Sequence, residues 1–152
     1  MKTILLTGVG GLTPRSIAKV IRKNHPDYRL IGVDANKKAM GFFMPGLLDD
    51  YAVCPRCTEE NYFPFIEQLV KDYQIDYAFV QPEAEIVEWG AYYEKNGRYP
   101  VDVFMGCKSL SESLRDKAIM AELLKGTHFI PKTIKVTQHN PRYEEVEQQI
   151  GF

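Results

Sequence analysis

The sequence contains no apolar run approaching the roughly 18 residues that cross a bilayer. Its imbalance of charge is a single unit, 19 basic against 20 acidic side chains for a formal net charge of −1. The first absence argues against a membrane span, the second against broad electrostatic capture of nucleic acid or an anionic membrane. Lys2 is followed only by Ile4-Leu5-Leu6 before Gly8, short of the apolar core of a signal peptide. The chain reads as cytoplasmic, with neither nucleic acid nor membrane as a partner.

Cysteine is scarce as well. Cys54, Cys57 and Cys107 are too few for a disulfide framework and fit a reducing compartment. Cys54-Pro55-Arg56-Cys57 has C-x-x-C spacing, but a zinc site needs a second pair or neighbouring histidines. Only Cys107 and three scattered His remain. A thioredoxin-like pair would open a helix directly, whereas Thr58-Glu59-Glu60 intervenes here. These cysteines read as structural or incidental, with a redox role for Cys54 and Cys57 left open, and no metal ligand or catalytic residue is assigned anywhere.

What is present is an ordinary globular composition, 45% hydrophobic and 26% charged over 152 residues, enough for one substantial core. Strand and helix signals alternate. Thr3–Thr7 is a continuous apolar strand, and from Pro14 the residues Ile17, Ala18, Val20 and Ile21 fall at helical spacing. Arg29–Asp34 is a second strand and Tyr51–Cys54 a short third. Tyr62–Tyr73 forms an amphipathic helix, Tyr77–Val80 a fourth strand, Glu83–Lys95 a further helix and Val101–Met105 a fifth strand. Apolar strands separated by helices imply an α/β, three-layer, Rossmann-like domain with a mainly parallel sheet of about five strands. The turns Gly8–Thr13, Asp34–Asn36 and Gln81–Glu85 then share the carboxyl edge, where such sheets bind ligands.

The last stretch behaves differently. Ser109–Leu114 and Arg115–Leu124 read as short helices, Phe129–Ile134 as extended, and Tyr143–Ile150 as a final helix closed by Gly151-Phe152. A glycine closing a helix usually leads into another element, so the chain reads as truncated.

Gly8-x-Gly10-Gly11-x-Thr13 lies close to the dinucleotide fingerprint G-x-G-x-x-G, between a strand and a helix, with Asp34 ending the next strand where a ribose-binding carboxylate would sit. Thr13 replaces the third glycine, and Arg15 adds positive charge to a helix N-terminus that already favours anions. Three readings stay open at this point: a phosphate or carboxylate ligand, a dinucleotide such as NAD, and a tight turn with no ligand.

Several stretches in order carry a resemblance. They are Ile4–Gly11, Ile31–Asn36, Asp50–Pro55, Ile75–Glu85, Arg115-Asp116-Lys117 and Phe129–Thr133. Together they resemble the N-terminal part of ATP-grasp ligases, most of all the carbamoyl-phosphate synthase large-subunit-like group. The resemblance implies residues 1–108 as the domain preceding the ATP-grasp core and 109–152 as a partial start of the ATP-binding region. It implies a carboxylate–amine ligase acting through an acyl phosphate, with ATP and magnesium as cofactors of a longer parent. Gly8, Gly10, Gly11 and Thr13 become the anion-facing turn. Glu83 and Glu85 become acidic positions near a small carboxylate or acyl-phosphate substrate, and Lys117 a contact to nucleotide phosphates. A solvated helix start is the plain alternative for the two glutamates.

The segment resembling Glu144–Phe152 would lead into the rest of the ATP-grasp core, so this chain alone is expected to be inactive. The missing ATP-grasp domains are its implied partners. Apolar residues Met120, Leu123, Leu124, Phe129 and Ile150 would then be partly uncovered, favouring a homodimer. The alternative function is an NAD(P)-binding Rossmann oxidoreductase or epimerase. Tyr92-Tyr93-Glu94-Lys95 offers Tyr and Lys for that chemistry, but not at Y-x-x-x-K spacing.

Overall fold

The structure is a computed structural model that describes residues 1–131, 133–134 and 147–148. It divides into two compact units, Met1–Lys108 and Ser109–Phe152. In the first unit the order is β1 (Thr3–Thr7), α1 (Leu12–Asn24), β2 (Arg29–Asp34), a 3-10 turn (Met40–Phe43), β3 (Asp50–Val53), α2 (Tyr62–Tyr73), β4 (Tyr77–Phe79), α3 (Glu83–Asn96) and β5 (Asp102–Phe104). The strands form one sheet in the order β3-β2-β1-β4-β5, and every pairing is parallel. This is the three-layer, Rossmann-like α/β architecture that the apolar strands imply.

Alternation along the strands explains the layers. Leu5, Ile31, Val33, Ala78 and Val80 pack on one face with Tyr62, Ile66 and Leu69 of α2 and Ile86 and Trp89 of α3. Ile4, Leu6 and Leu30 face the opposite side, where Ala18 of α1 lies with Val9, Ala39 and Leu47. Period-two strands covered on both faces leave no solvent-facing row in the middle of the sheet. Trp89 and Tyr62 are the largest fully buried side chains, each worth about 1.5–3 kcal/mol of apolar burial. The edge strands differ. β3 alternates half-buried and exposed residues, so Tyr51 and Val53 stand outside the core.

Helix α1 begins at Leu12, which puts Pro14 within the first turn, where a missing N–H has no intrahelical partner to lose. Arg22 and Lys23 occupy its last turn, the end that favours cations. Helix α3 stops at Gly97, whose φ of 70° is left-handed and whose N–H donates to the Tyr93 carbonyl.

In the second unit, α4 (Lys108–Arg115) carries over from the first, and α5 (Lys117–Leu123) follows. Asp116 caps α5 by accepting the Ala118 N–H at 2.8 Å, so the helix starts after Arg115 and not at it. Of the extended run expected over Phe129–Ile134, the first residue differs: Phe129 lies in a turn after Thr127, whose N–H returns to the Leu124 carbonyl. Leu123 and Phe129 are 64% and 77% exposed, while Met120 and Leu124 are half-buried. The expected helix at Tyr143–Ile150 falls largely outside the described residues. No helix among the described residues is long and apolar enough to cross a membrane.

Candidate functional site

The sheet order reverses direction between β1 and β4, and the loops leaving β1, β2 and β4 meet at that carboxyl edge. They interlock. Gly8 has φ of 65°, and a Cβ there would stand 2.4 Å from Cγ of Pro82, so the β1–α1 turn sits directly against the β4–α3 turn. The Gly10 N–H donates to Asp34 Oδ2 at 2.8 Å. Asp34 Oδ1 accepts the Asn36 N–H, also at 2.8 Å. Val9 is pinned through its N–H to the Val33 carbonyl at 3.3 Å, and the Gly11 N–H closes onto the Gly8 carbonyl at 2.9 Å.

The expectation that the glycines themselves present N–H groups to a ligand is therefore narrowed. Those of Val9, Gly10 and Gly11 are already engaged inside the protein. The opening of α1 adds the N–H groups of Leu12 and Thr13, first-turn donors that have no intrahelical partner. No side chain caps this helix, and no acid lies in its first turn. Leu12 is 73% exposed, and Gly11 and Thr13 are also exposed. Arg15 folds back, its Nε donating to the Gly11 carbonyl at 2.8 Å. The edge thus offers an open, positively polarised helix end, with the Asp34 carboxylate close behind it.

The two glutamates of α3 part company. Glu83 is exposed, as a solvated helix start would be. Glu85 is 8% exposed, so the solvated alternative does not describe it. Tyr62 Oη donates to Glu85 Oε2 at 2.8 Å, and Trp89 Nε1 donates to Tyr62 Oη at 3.1 Å. Thr7 supplies a further side-chain hydrogen bond to Glu85. The Gln81 N–H reaches Thr7 Oγ1 at 3.4 Å. Burial pushes the Glu85 carboxyl above its ordinary value, and the charge of Asp34 pushes the same way, while the hydrogen bonds from Thr7 and Tyr62 oppose them. The Tyr62 hydroxyl is likewise held up by burial and by Glu85.

Sequence reading missed this network because its members are far apart in the chain. One signal for it existed: Glu85 and Trp89 fall four apart on α3, flanking the inward Ile86, and Thr7 shares the strand face of Leu5.

Cys54 and Cys57 lie beside the network. Burial raises both thiols, Cys54 to about 12, and Glu85 adds to each. Neither has the electropositive surroundings of a reactive thiolate. Among the described residues, no group of three or more His, Cys, Asp or Glu side chains is placed to hold a metal.

In the second unit Lys117 is exposed at the start of α5. It lines a cleft of about 480 Å³ with Glu122, Thr133 and Ile134 among its neighbours.

No protein-family model matches the sequence. Over 51 residues the chain is 47% identical to a prephenate dehydrogenase of Bacillus subtilis (strain 168), a match taking in 33% of this chain and 14% of that protein. Among solved structures, the biotin carboxylase domain of a thermophilic 2-oxoglutarate carboxylase, bound to ADP, aligns with a TM-score of 0.51 at 13% identity. That alignment covers 99% of this chain and 33% of the other. The dTDP-glucose 4,6-dehydratase of Bacillus anthracis str. Ames, in complex with NAD, aligns with a TM-score of 0.49 at 13% identity, over 68% of this chain and 36% of its own. The chain thus spans a minor part of each of these proteins, and the biotin carboxylase likeness is one of fold.

Proposed function

We propose that this chain is the substrate-side N-terminal domain of an ATP-dependent carboxylate–amine ligase of the carbamoyl-phosphate synthase kind, with the first segment of its nucleotide-binding region. The observation that carries the reading is the division of donors at the β1–α1 turn. The Gly10 and Gly11 N–H groups are consumed by Asp34 and by the Gly8 carbonyl. A pyrophosphate lying across the turn would be left the helix end alone, without added donors from these glycines. A compact carboxylate or acyl phosphate needs only the uncapped end of α1, where Leu12 and Thr13 keep their donors beside Arg15.

The fold likeness to a biotin carboxylase domain bound to ADP, over 99% of the chain, supports placing the second unit on the nucleotide side of such an enzyme. Lys117 then reaches nucleotide phosphates, with ATP and magnesium supplied in the complete enzyme. Glu83, exposed at the start of α3, faces the substrate side, while Glu85 acts from below the surface.

A second reading, an NAD(P)-binding Rossmann oxidoreductase or epimerase, is favoured by the 47% identity to a prephenate dehydrogenase over 51 residues. Isothermal calorimetry on the chain separates the two. Titration with NAD(H) and NADP(H) should give no heat, while phosphate or bicarbonate binds weakly and ATP–magnesium is not turned over. Micromolar binding of a dinucleotide would overturn the ligase reading and establish the other.

A further inference from the structure

The two faces of the sheet are not equally covered. On the face that carries Leu5, Ala78 and Val80, α2 and α3 extend the core as far as Val103 of β5. On the other face α1 is the only helix of the first unit. Its Arg15 and Arg22 reach Met44, Leu47 and Asp49 on the β3 side. Among the described residues of β4 and β5, Phe79 alone joins the cluster under α1.

Beyond α1 this face shows Tyr77 and Phe79 of β4 beside Asp102 and Phe104 of β5, in the register Tyr77 to Asp102 and Phe79 to Phe104. The Phe79 and Phe104 rings stack with centroids 4.9 Å apart, and Tyr77 leans on Phe104 at 5.7 Å. Phe104 is 53% exposed. A contiguous aromatic row left to water is the mark of an interaction surface. Charge borders it at one end. Lys2 Nζ lies over the Tyr77 ring, 5.4 Å from its centroid, and donates to Asp76 at 2.6 Å. Its side chain is still 45% exposed and keeps donors to spare. Across Tyr77, Asp102 is exposed and has no hydrogen bond or ion pair among the described residues.

We propose that this row is the contact between two copies of the chain, packed sheet on sheet about a two-fold axis that runs along the strands between β4 and β5. Such an axis keeps strand direction and exchanges the two strands, so each side chain meets its register partner from the other copy. Phe79 lies over Phe104 of the second copy. Asp102 of the second copy arrives over Tyr77, where Lys2 stands with its remaining donors. Aligned sheets pack about 10 Å apart, so α1, a helix about 10 Å thick, flanks the edge of the second copy's β5. It does so with the side opposite Arg22, which carries half-buried Ile17 and exposed Val20. The contact is isologous and closes at two copies. It moves the expected homodimer contact from Leu123 and Phe129 to the first unit, and it holds whichever ligand the carboxyl edge takes.

Sedimentation equilibrium on the full chain, at micromolar concentrations, should give a mass rising toward twice that of the 17.4 kDa chain. Phe104→Asp sets a carboxylate against Phe79 of the other copy and should weaken association by about tenfold or more. Asp102→Lys should weaken it as well, and adding Lys2→Glu should restore it, a rescue that no loss of folding imitates. Because Asp102 is exposed on an edge strand, this pair keeps the test intact if Phe104→Asp does not fold. Leu123→Asp, in the second unit, should leave association unchanged. A monomer at every concentration leaves the row to a different partner and overturns the proposal. So does failure of the rescue, a dimer undiminished by Phe104→Asp and Asp102→Lys, or a dimer that Leu123→Asp abolishes.

Discussion

Replacing Gly8 by alanine tests the interlock between the two turns quantitatively. At φ of 65° a side chain pays the left-handed penalty of about 1–2 kcal/mol. The new Cβ would also stand 2.4 Å from Cγ of Pro82, a ring that cannot swing aside as the end of a lysine can. Relieving such overpacking costs about 1–3 kcal/mol, for a total of about 2–5 kcal/mol. Gly46 is the matched control: its φ is 71°, and nothing lies within 4 Å of the position its Cβ would take. Gly46→Ala should therefore lose only the conformational part, about 1–2 kcal/mol. Urea unfolding followed by fluorescence of Trp89, the chain's one tryptophan and a fully buried one, reads the unit that holds both sites. With a urea slope near 2 kcal/mol/M, Gly8→Ala should lower the midpoint by about 1–2.5 M and Gly46→Ala by about 0.5–1 M. Equal midpoint shifts in the two variants would refute the contact between Gly8 and Pro82.

Four further outcomes follow from the same network and edge. Tyr62→Phe strands the buried Trp89 N–H and should cost about 1–3 kcal/mol in urea unfolding; an unchanged midpoint counts against the Trp89–Tyr62 hydrogen bond. Glu85 is raised above its ordinary 4.5 in the folded chain, so the folded state binds more protons than the unfolded one between the two values. Its contribution to stability must then fall as pH rises from about 4.5 through the folded value, and Glu85→Gln should flatten that slope in a pH series of unfolding curves. Iodoacetamide with mass mapping should label exposed Cys107 first, half-buried Cys57 more slowly, and buried Cys54 only on unfolding; early labelling of Cys54 contradicts its burial. Gly11→Asp places a capping carboxylate at the N-cap of α1 and should abolish phosphate binding with stability changed by only a few tenths of a kcal/mol; retained binding would move the anion elsewhere.

The regular elements were legible wherever pattern alone decides them. β1, β2 and α2 have the bounds that their apolar runs and helical spacing dictate, because each buries a face on its own periodicity. Asp34 at the end of β2 was also readable, as was the convergence of three turns on one edge. The 3-10 turn at Met40–Phe43 was not, since it exists to seat Gly41 against the Val9 carbonyl, where a Cβ would come within 2.5 Å. Nor was the fate of the glycine N–H groups, which depends on where the Asp34 carboxylate points. Glu85 is the clearest case. An acid in the first turn of a helix has a sufficient local reason to be there, and nothing nearby in the sequence announces that Tyr62 and Thr7 receive it.

The central strand is also the first one made. Ile4 pairs with Leu30 on one side but with Tyr77 on the other, so during synthesis β1 can acquire one neighbour long before the second exists. The half built from β1, α1, β2 and β3 has its own apolar cluster and can assemble early. Through that interval Leu5, Ile31 and Val33 wait in water for α2 and α3, and Thr7 waits for Glu85. Closure of the sheet by β4 and completion of the turn at Gly8 are then one late event on the ribosome. A chain interrupted before Tyr62 would present a half-covered sheet to chaperones, and a turn at Gly8 held from β2 alone.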